Sequence, residues 1–476
     1  MTPLWTIADM AAAMRAEKSG ALPAEVPGLS IDSRTLGKGD AFFAIKGESR
    51  DGHDFVGAAL KAGASLAVVE RAQGQRFPGA PLLLVDDVLE GLRDLAGAAR
   101  ARSHAKVIAV TGSVGKTSTK EALKLALAAD GETHASAASY NNQWGVPLSL
   151  ARMPASARYA VFEIGMNHAG EITPLTRLAR PHIAVVTTIE PVHLEYFGTL
   201  DRIADAKAEI FLGLEPGGAA VLNIDNGQFS RLSSAAKAAG VARIVSFGEG
   251  AKADARLLRY ALHAECSTVE AAILGHDVTY KLGAPGKHLV LNSLAVLAAA
   301  SLAGADLALA ALALNNLQAA PGRGTRIALE MPGGSALLID ESYNANPASM
   351  RAALALLGQA PLGPRGRRIA VLGDMLELGR DGAAMHRALA EPILAAKVDL
   401  VFCSGPQMRS LWDALPSSHR GGYAETAAAL EPDVLDAIRS GDAVMVKGSL
   451  GSKMGPIVKT LERRFSREAA FNQAQG

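Results

Sequence analysis

The sequence predicts an α/β protein of three domains, and three observations carry that reading. The first is the stretch VIAVTGSVGKTSTKE, residues 107–121, where an apolar β-branched run from Val107 to Val110 meets a glycine-bearing turn and then a helix-competent segment. The second is the alternation of short apolar strands with helical segments along most of the chain, which implies crossover connections and mainly parallel sheets. The third is length: 476 residues exceed what one core supports and suggest about three domains. With 49% hydrophobic and 20% charged residues the composition is that of a globular protein.

Residues 1–85 read as a small α/β N-terminal domain. It has a short helix, strands at Leu29 to Ile31 and Ala41 to Ile45 joined by a Gly/Lys/Asp turn, a helix from Asp54 to Ala62, and a strand from Ser65 to Val69. Residues 86–104, DDVLEGLRDLAGAARARSH, predict a linker helix with an acidic start and an arginine-rich end, as the helix dipole favours. A central P-loop mononucleotide-binding domain follows over 105–320, with further strands at Tyr159 to Ile164, Ile183 to Ile189, Ala219 to Ile224 and Ala242 to Phe247. Within it, 254–283 reads as short antiparallel strands forming a small side sheet. The C-terminal domain, 321–476, is Rossmann-like: TRIALE and SALLIDE flank the turn MPGG as a hairpin, then RRIAVLG, VDLVFCSG and DAVMVKGS alternate with helices. The tail KTLERRFSREAAFNQAQG is basic and predicts a solvated helix.

Charge and composition narrow the partners. A net charge of +1, from 48 basic and 47 acidic residues, gives no field to hold nucleic acid, so small molecules are expected instead. Cys266 and Cys403 stand apart from each other and from any metal-ligand spacing, which predicts reduced thiols. The N-terminus lacks the charge pattern and cleavage site of a signal peptide. The most apolar stretch, 289–314, is dominated by alanine and broken by Asn292, Ser293, Gly304 and Asp306, so it reads as buried helix and not as a membrane span. A cytoplasmic monomer is the expectation.

The stretch Thr111-Gly112-Ser113-Val114-Gly115-Lys116-Thr117-Ser118 between strand and helix is a candidate phosphate cradle. Backbone N–H groups and the helix N-terminus would hold phosphate oxygens, Lys116 would reach the β- and γ-phosphates, and the Thr117 hydroxyl would sit on Mg²⁺. The general pattern wants glycine at position 110, where this chain has Val110, so the match is to a shorter form, T-G-S-x-G-K-T. Glu163 interrupts the apolar strand YAVFEIG, and a buried carboxylate needs a cation. Mg²⁺ and a nearby Lys or Arg are both candidates, and position after a strand in the phosphate-loop domain favours Mg²⁺. His193, at a strand end in TTIEPVH, and Lys207, in DRIADAKAEIF, carry little weight alone.

Taken together, TGSVGKTS, FEIGMNHAGEI, EPVHLEYFG, ADAKAEIF, APGRGTR, DESYNANPASM and VLGDMLELG resemble the Mur ligases, the ATP-dependent amide ligases of peptidoglycan precursor synthesis. The resemblance spans essentially the whole chain. It implies ATP as substrate, two Mg²⁺ ions, and ADP-forming ligation of D-alanyl-D-alanine to UDP-muramoyl-tripeptide through an acyl phosphate. By position, Lys116 and Thr117 match the family's nucleotide-loop residues, Glu163 and His193 its magnesium positions, and Lys207 a lysine that is often carbamylated. Asn292 matches a position facing the adenine, Arg323 the arginine that reaches the phosphates, and Asp340 lies in the segment that meets the ribose. Tyr343, Asn344 and Asn346 belong to the run implied to bind the acceptor. Ser33, Arg34, Lys46, Gly47 and His53 lie in segments like those that hold the UDP-sugar. Three positions depart from the family pattern: Leu289, Glu341 beside Asp340, and Leu450 after V-K-G-S.

Such a reaction implies that the first and third domains close on the central one to orient three substrates and keep water off the intermediate. The preceding ligase, which adds a single amino acid, would show a D-N-P-R acceptor motif, and this sequence has none. A folylpolyglutamate synthetase has no place for the DSR and DGHDF segments. A catalytically silent nucleotide-binding scaffold would not need Lys116, Glu163, His193 and Lys207 together.

Overall fold

The computed structural model describes residues 3–137 and 139–466, and three large sheets organise them, beside a two-stranded ribbon of Trp5–Thr6 and Glu25–Val26. The first has the strand order Glu17–Ser19, Leu82–Val85, Leu66–Glu70, Ala41–Phe43, Leu29–Ser30, parallel except at the Glu17–Ser19 edge. The helix predicted over 54–62 begins earlier, as a 3-10 turn at Gly52–Phe55 that runs into Val56–Lys61, because the Asp51 side chain accepts from His53 N and starts the turn there.

The helix Val88–Arg102 is capped by Asp87, whose carboxylate accepts from Glu90 N at 2.8 Å. It is no loose tether. Leu92, Leu95, Ala96 and Ala99 are fully buried in a core that runs from Phe43 and Val68 of the first sheet to Val107 and Phe162 of the central one. Arg100 donates from its buried guanidinium to the carbonyls of Ala179 and Arg180. The first domain is therefore fused to the central one through shared apolar packing. The third domain instead has its own cores, which draw on residues from Leu329 onward.

The central sheet runs His276–Leu282, Ser267–Ile273, Ala255–Leu262, Arg243–Gly248, Ala219–Asn223, Ile183–Val186, Lys106–Thr111, Tyr159–Glu163, Thr133–Ala135. Residues 254–283 do not form the separate side sheet expected from sequence. Ala255–Leu262 pairs parallel with Arg243–Gly248, and the two antiparallel strands after it extend the same sheet. The reason lies in burial: Val269, Ala271 and Ile273 alternate onto the face that also buries Leu294 and Leu297 of the helix Lys287–Leu302. The apolar stretch 289–314 is two helices, Lys287–Leu302 and Leu307–Ala313, divided where Gly304 adopts φ +83° and Asp306 caps the second. Among the described residues no helix is long and apolar enough to cross a membrane.

The third sheet runs Thr325–Met331, Gly334–Glu341, Ala443–Lys447, Arg368–Gly373, Leu400–Ser404, Arg420–Ala424. The expected hairpin is present, with Met331 paired to Gly334. The Arg420–Ala424 edge strand was hidden in the sequence by Gly421 and Gly422, whose missing side chains make room for Phe402, 2.7 Å from where a Cβ on Gly421 would stand. The last helix spans Gly455–Arg464; residues 467–476 of the predicted tail helix lie outside the described residues.

Two parallel sheets thus point their carboxyl ends at one region. In the central sheet Lys106–Thr111 lies between Tyr159–Glu163 and Ile183–Val186, so the strand order reverses there and leaves a crevice beyond the strand ends. In the third sheet, Asp442 sets the register just before the Ala443–Lys447 strand. Its carboxylate, 1% exposed, accepts from Arg367 N, Nε and Nη2 and from Arg439 N. Arg367→Met should leave that carboxylate with its two backbone donors but no cation and cost about 3–5 kcal/mol in a denaturant titration; a loss below about 1 kcal/mol would show that the Arg367–Asp442 pair is not a structural anchor.

Candidate active site

Val110 is fully buried and pairs within the sheet, with Glu163 opposite it on one neighbouring strand and Val185 on the other. That explains the missing glycine: residue 110 belongs to the strand, and the turn begins at Gly112. Gly112 has φ +146°, and a Cβ there would lie 1.9 Å from Thr187 Oγ1. Gly115 has φ +87°, and a Cβ there would lie 2.6 Å from Asn292 Nδ2. Both positions therefore require glycine. The loop is tied to the next strand end by Ser113 N to Thr188 O (2.8 Å), Ser113 Oγ to Glu190 O (3.0 Å) and Thr187 Oγ1 to Val114 O (2.6 Å). The helix Lys116–Ala128 starts with no side-chain cap, so its first N–H groups face the crevice, and the buried Thr111 Oγ1 has no partner among the described residues.

Three charged side chains gather at this crevice. Lys116 Nζ donates to Gly112 O at 2.7 Å, and burial holds its pKa below the ordinary lysine value, with Glu163 opposing and Arg323 reinforcing the shift. Glu163, 1% exposed, accepts from Thr117 Oγ1 at 2.8 Å and from Asn141 Nδ2 at 2.7 Å. It makes no salt bridge with a described residue, although its charge bears on Lys116. Lys207 is 2% exposed, without a hydrogen bond or ion pair to a described residue; burial and then the charge of Lys116 push its pKa well down.

His193 precedes the turn Leu194–Phe197 in a left-handed conformation, φ +56°. Its Nδ1 is hydrogen-bonded to Glu377 Oε2 of the third domain. Burial lowers the pKa of the imidazole; Glu377 acts in the opposite sense, and the charges of Lys207 and Lys116 add to the lowering.

The third domain supplies the opposite wall. Arg323 donates to Ser139 Oγ at 3.3 Å, and its guanidinium stacks 4.2 Å above the Tyr343 ring. Between the walls is a cavity of about 1270 Å³ lined by Lys116, Glu163, His193, Asn292, Arg323 and Tyr343 among others. Small-molecule pockets are typically about 300–1000 Å³, so this one has room for more than a nucleotide. Asn344 and Asn346 also line it, although the Asn346 side chain is engaged as the N-cap of the helix Pro347–Gly358.

Other sequence candidates fall elsewhere. Asp340 is turned away, its carboxylate accepting from Ser342 N at 3.0 Å; Glu341 lines the cavity in its place, paired with Lys447 at 3.1 Å. His53, expected to touch the UDP-sugar, is 1% exposed with both nitrogens used: Nδ1 with Asp51 at 2.6 Å and Nε2 accepting from Glu70 N at 3.0 Å. It anchors its own turn and has no atom left for a ligand. Arg34 is held by Asp32, and Ser33, Lys46 and Gly47 lie outside the cavity, which the first domain reaches through Glu48. Sequence reasoning missed Ser139, Asn141 and Lys447. The polar run SYNNQWG after a strand was the available signal for the first two, whereas Lys447 reads as an ordinary strand-end lysine.

Whether the site suits Mg²⁺ is decided by its donors. Glu163, Thr117 and one imidazole are few and mostly oxygen, as suits an ion that also takes phosphate oxygens and water. Among the described residues no three His, Cys, Asp or Glu side chains converge as a cage. The glycine cradle and the unpartnered Thr111 hydroxyl suit the polyphosphate.

A glycine phosphate loop opposed by a cation from a separate α/β domain is the arrangement of a P-loop, ATP-using enzyme. Family comparison refines that class. The Mur ligase family, catalytic domain, matches residues 25–102, the Mur ligase middle domain 110–300, and the Mur ligase glutamate ligase domain 322–450. The chain belongs to the Mur ligase family. Two similar curated proteins, from Rickettsia prowazekii (34% identical, covering 90% of this chain and 94% of that one) and Escherichia coli (36%, 91% and 93%), are both named UDP-N-acetylmuramoyl-tripeptide–D-alanyl-D-alanine ligase. Among solved structures, MurF from Acinetobacter baumannii superposes with a TM-score of 0.82 at 30% identity, covering 96% of this chain and 99% of that one. MurF from Thermotoga maritima in complex with ADP gives 0.75 at 26%, covering 93% and 98%.

Burial of Lys207 has a consequence for stability. In carbonate-free buffer the folded chain gives up a proton that the unfolded chain keeps up to the ordinary value of 10.5, so stability should rise with pH across that window. Lys207→Met should reduce that slope, leaving the part that Lys116 contributes, and be more stable at neutral pH. An unchanged slope in the variant would show that Lys207 is not a buried titrating group.

Proposed function

We propose that this chain is an ATP-dependent, ADP-forming amide ligase that joins D-alanyl-D-alanine to UDP-N-acetylmuramoyl-tripeptide. The observation that carries the reading is the single cavity shared by the Lys116 phosphate loop and the Arg323–Tyr343 wall of the third domain. The names of the similar proteins supply the two substrates.

In this reading a tripeptide carboxylate oxygen attacks the γ-phosphorus of ATP, ADP leaves, and an acyl phosphate forms. Lys116 and Arg323 neutralise charge gathering on the transferred group, which is the main work in phosphoryl transfer. The neutral amine of the dipeptide then attacks the acyl carbon, loses its proton, and inorganic phosphate departs. Asn292 faces the adenine, and Glu341, held by Lys447, meets the ribose in place of Asp340. Tyr343, Asn344 and Asn346 face the acceptor. Of the first-domain candidates, Ser33, Arg34, Lys46 and Gly47 remain for the UDP-sugar.

Mg²⁺, when bound, supplies charge neutralisation on the phosphate oxygens; Thr117 and Glu163 would hold one ion, His193 and Lys207 a second. Lys207 suits that role as a carbamate, because a buried lysine of depressed pKa offers the neutral amine that reacts with CO₂ and becomes an anionic oxygen ligand. The chain acts as a monomer in the cytoplasm, a reading in keeping with its free cysteines, Cys266 and Cys403.

The test is phosphate release and product mass with ATP, Mg²⁺, UDP-muramoyl-tripeptide and D-alanyl-D-alanine. Turnover should need all three substrates, and Lys116→Ala should lower kcat roughly 10²–10³-fold or more, as loss of a donor to transition-state charge does. Release that requires a single amino acid instead of the dipeptide would move the chain to the preceding step of precursor synthesis. Release with no amine at all would overturn ligation.

A further inference from the structure

The contact between His193 and Glu377 joins the central domain to the third across 184 positions of sequence. It engages Nδ1 of the imidazole and leaves Nε2 without a hydrogen bond to a described residue. Metal-binding histidines commonly donate their second ring N–H to a carboxylate, which fixes tautomer and ring orientation. We infer that Glu377 is a positioning residue for His193, presenting Nε2 to the metal–phosphate site, so that the site is complete only when the third domain is docked. The inference rests on the reading of His193 as a magnesium-site residue.

Backbone geometry on both sides supports it. His193 has φ +56° and Glu377 φ +63°, so each partner is a non-glycine residue in the left-handed region. That conformation is costly and persists where surrounding structure over-determines it, often at functional sites. The His193–Glu377 contact does not offset the strain: the side chains are 26% and 43% exposed, and exposed polar pairs stabilise little. A role in assembling the site accounts for the strain where stability does not.

The loop carrying Glu377 is held from several directions. Glu195 N donates to Glu377 O at 3.2 Å, and Gly379 lies against Glu195, 3.5 Å from the Glu195 Cα to where a Cβ would stand. Met375 N donates to His386 Nε2 at 2.9 Å, and the buried Asp374 carboxylate accepts from Met408 N at 2.8 Å. Leu376 N donates to Ser449 Oγ at 3.0 Å, just past the strand that ends in Lys447. The loop therefore links the strand end bearing Lys447, which pairs with Glu341, to the imidazole at the metal side of the cavity. The third domain has separate apolar cores, so this loop meets the central domain through polar contacts, as Arg323 does at Ser139.

The test measures metal directly, in the full chain. Mn²⁺ binding is titrated by electron paramagnetic resonance with a non-hydrolysable ATP analogue, for the wild type, Glu377→Ala, Glu377→Gln and His193→Ala, with thermal denaturation alongside. Glu377→Ala should weaken the apparent Mn²⁺ affinity by about 10-fold or more with the melting temperature nearly unchanged, and Glu377→Gln, which can still accept from Nδ1, should recover part of it. If His193→Ala weakens Mn²⁺ binding but Glu377→Ala does not, the positioning role is overturned. If His193→Ala itself leaves Mn²⁺ binding unchanged, the reading of His193 as a ligand fails first, and the inference falls with it.

Discussion

The site depends on one electrostatic problem: the buried Lys207 lies within reach of the charge of the half-buried Lys116, and Arg323 adds to the field at Lys116. The acidic side chain facing Lys116 is Glu163, and it is already hydrogen-bonded by a hydroxyl and an amide. Positive charge held away from water without full compensation is unfavourable for the empty protein. The same arrangement favours a polyphosphate, which brings the missing negative charge. Depressing the pKa of Lys207 is the second way the fold relieves the excess.

Topology places this charge. Reversal of strand order around Lys106–Thr111 sends the ends of two flanking strands, with Glu163 and the 187–193 segment, to either side of the phosphate loop. Arg323 and Tyr343 arrive from a sheet with independent cores, whereas the first domain is fused to the central one by the helix Val88–Arg102. The two outer domains are therefore joined to the central one in different ways, the first through a shared apolar core and the third across a polar cavity.

Much of the architecture was legible because its signals are local. Strand, glycine turn and helix at 106–128 follow from β-branched residues, positive-φ glycines and amphipathic spacing, and the hairpin around residue 332 follows from its Pro-Gly turn. What sequence missed depends on contacts distant in the chain. Residues 255–282 join the main sheet because one strand happens to meet its edge. His53 looks like a ligand until Asp51 and the backbone of Glu70 are seen to occupy both nitrogens. Asp340 and Glu341 are adjacent carboxylates in a strand, so alternation sends them to opposite sides, and only the fold says which side is the cavity. The Glu163 partner Asn141 and the His193 partner Glu377 carry no sequence signal of that pairing at all.

The central claim, that the cavity makes an amide by way of an acyl phosphate, is tested most directly by following oxygen. With ¹⁸O in the terminal carboxylate of the UDP-muramoyl-tripeptide, one labelled oxygen should leave in the inorganic phosphate while the other stays in the new amide carbonyl. Phosphate free of ¹⁸O, released together with the ligated product, would contradict the account.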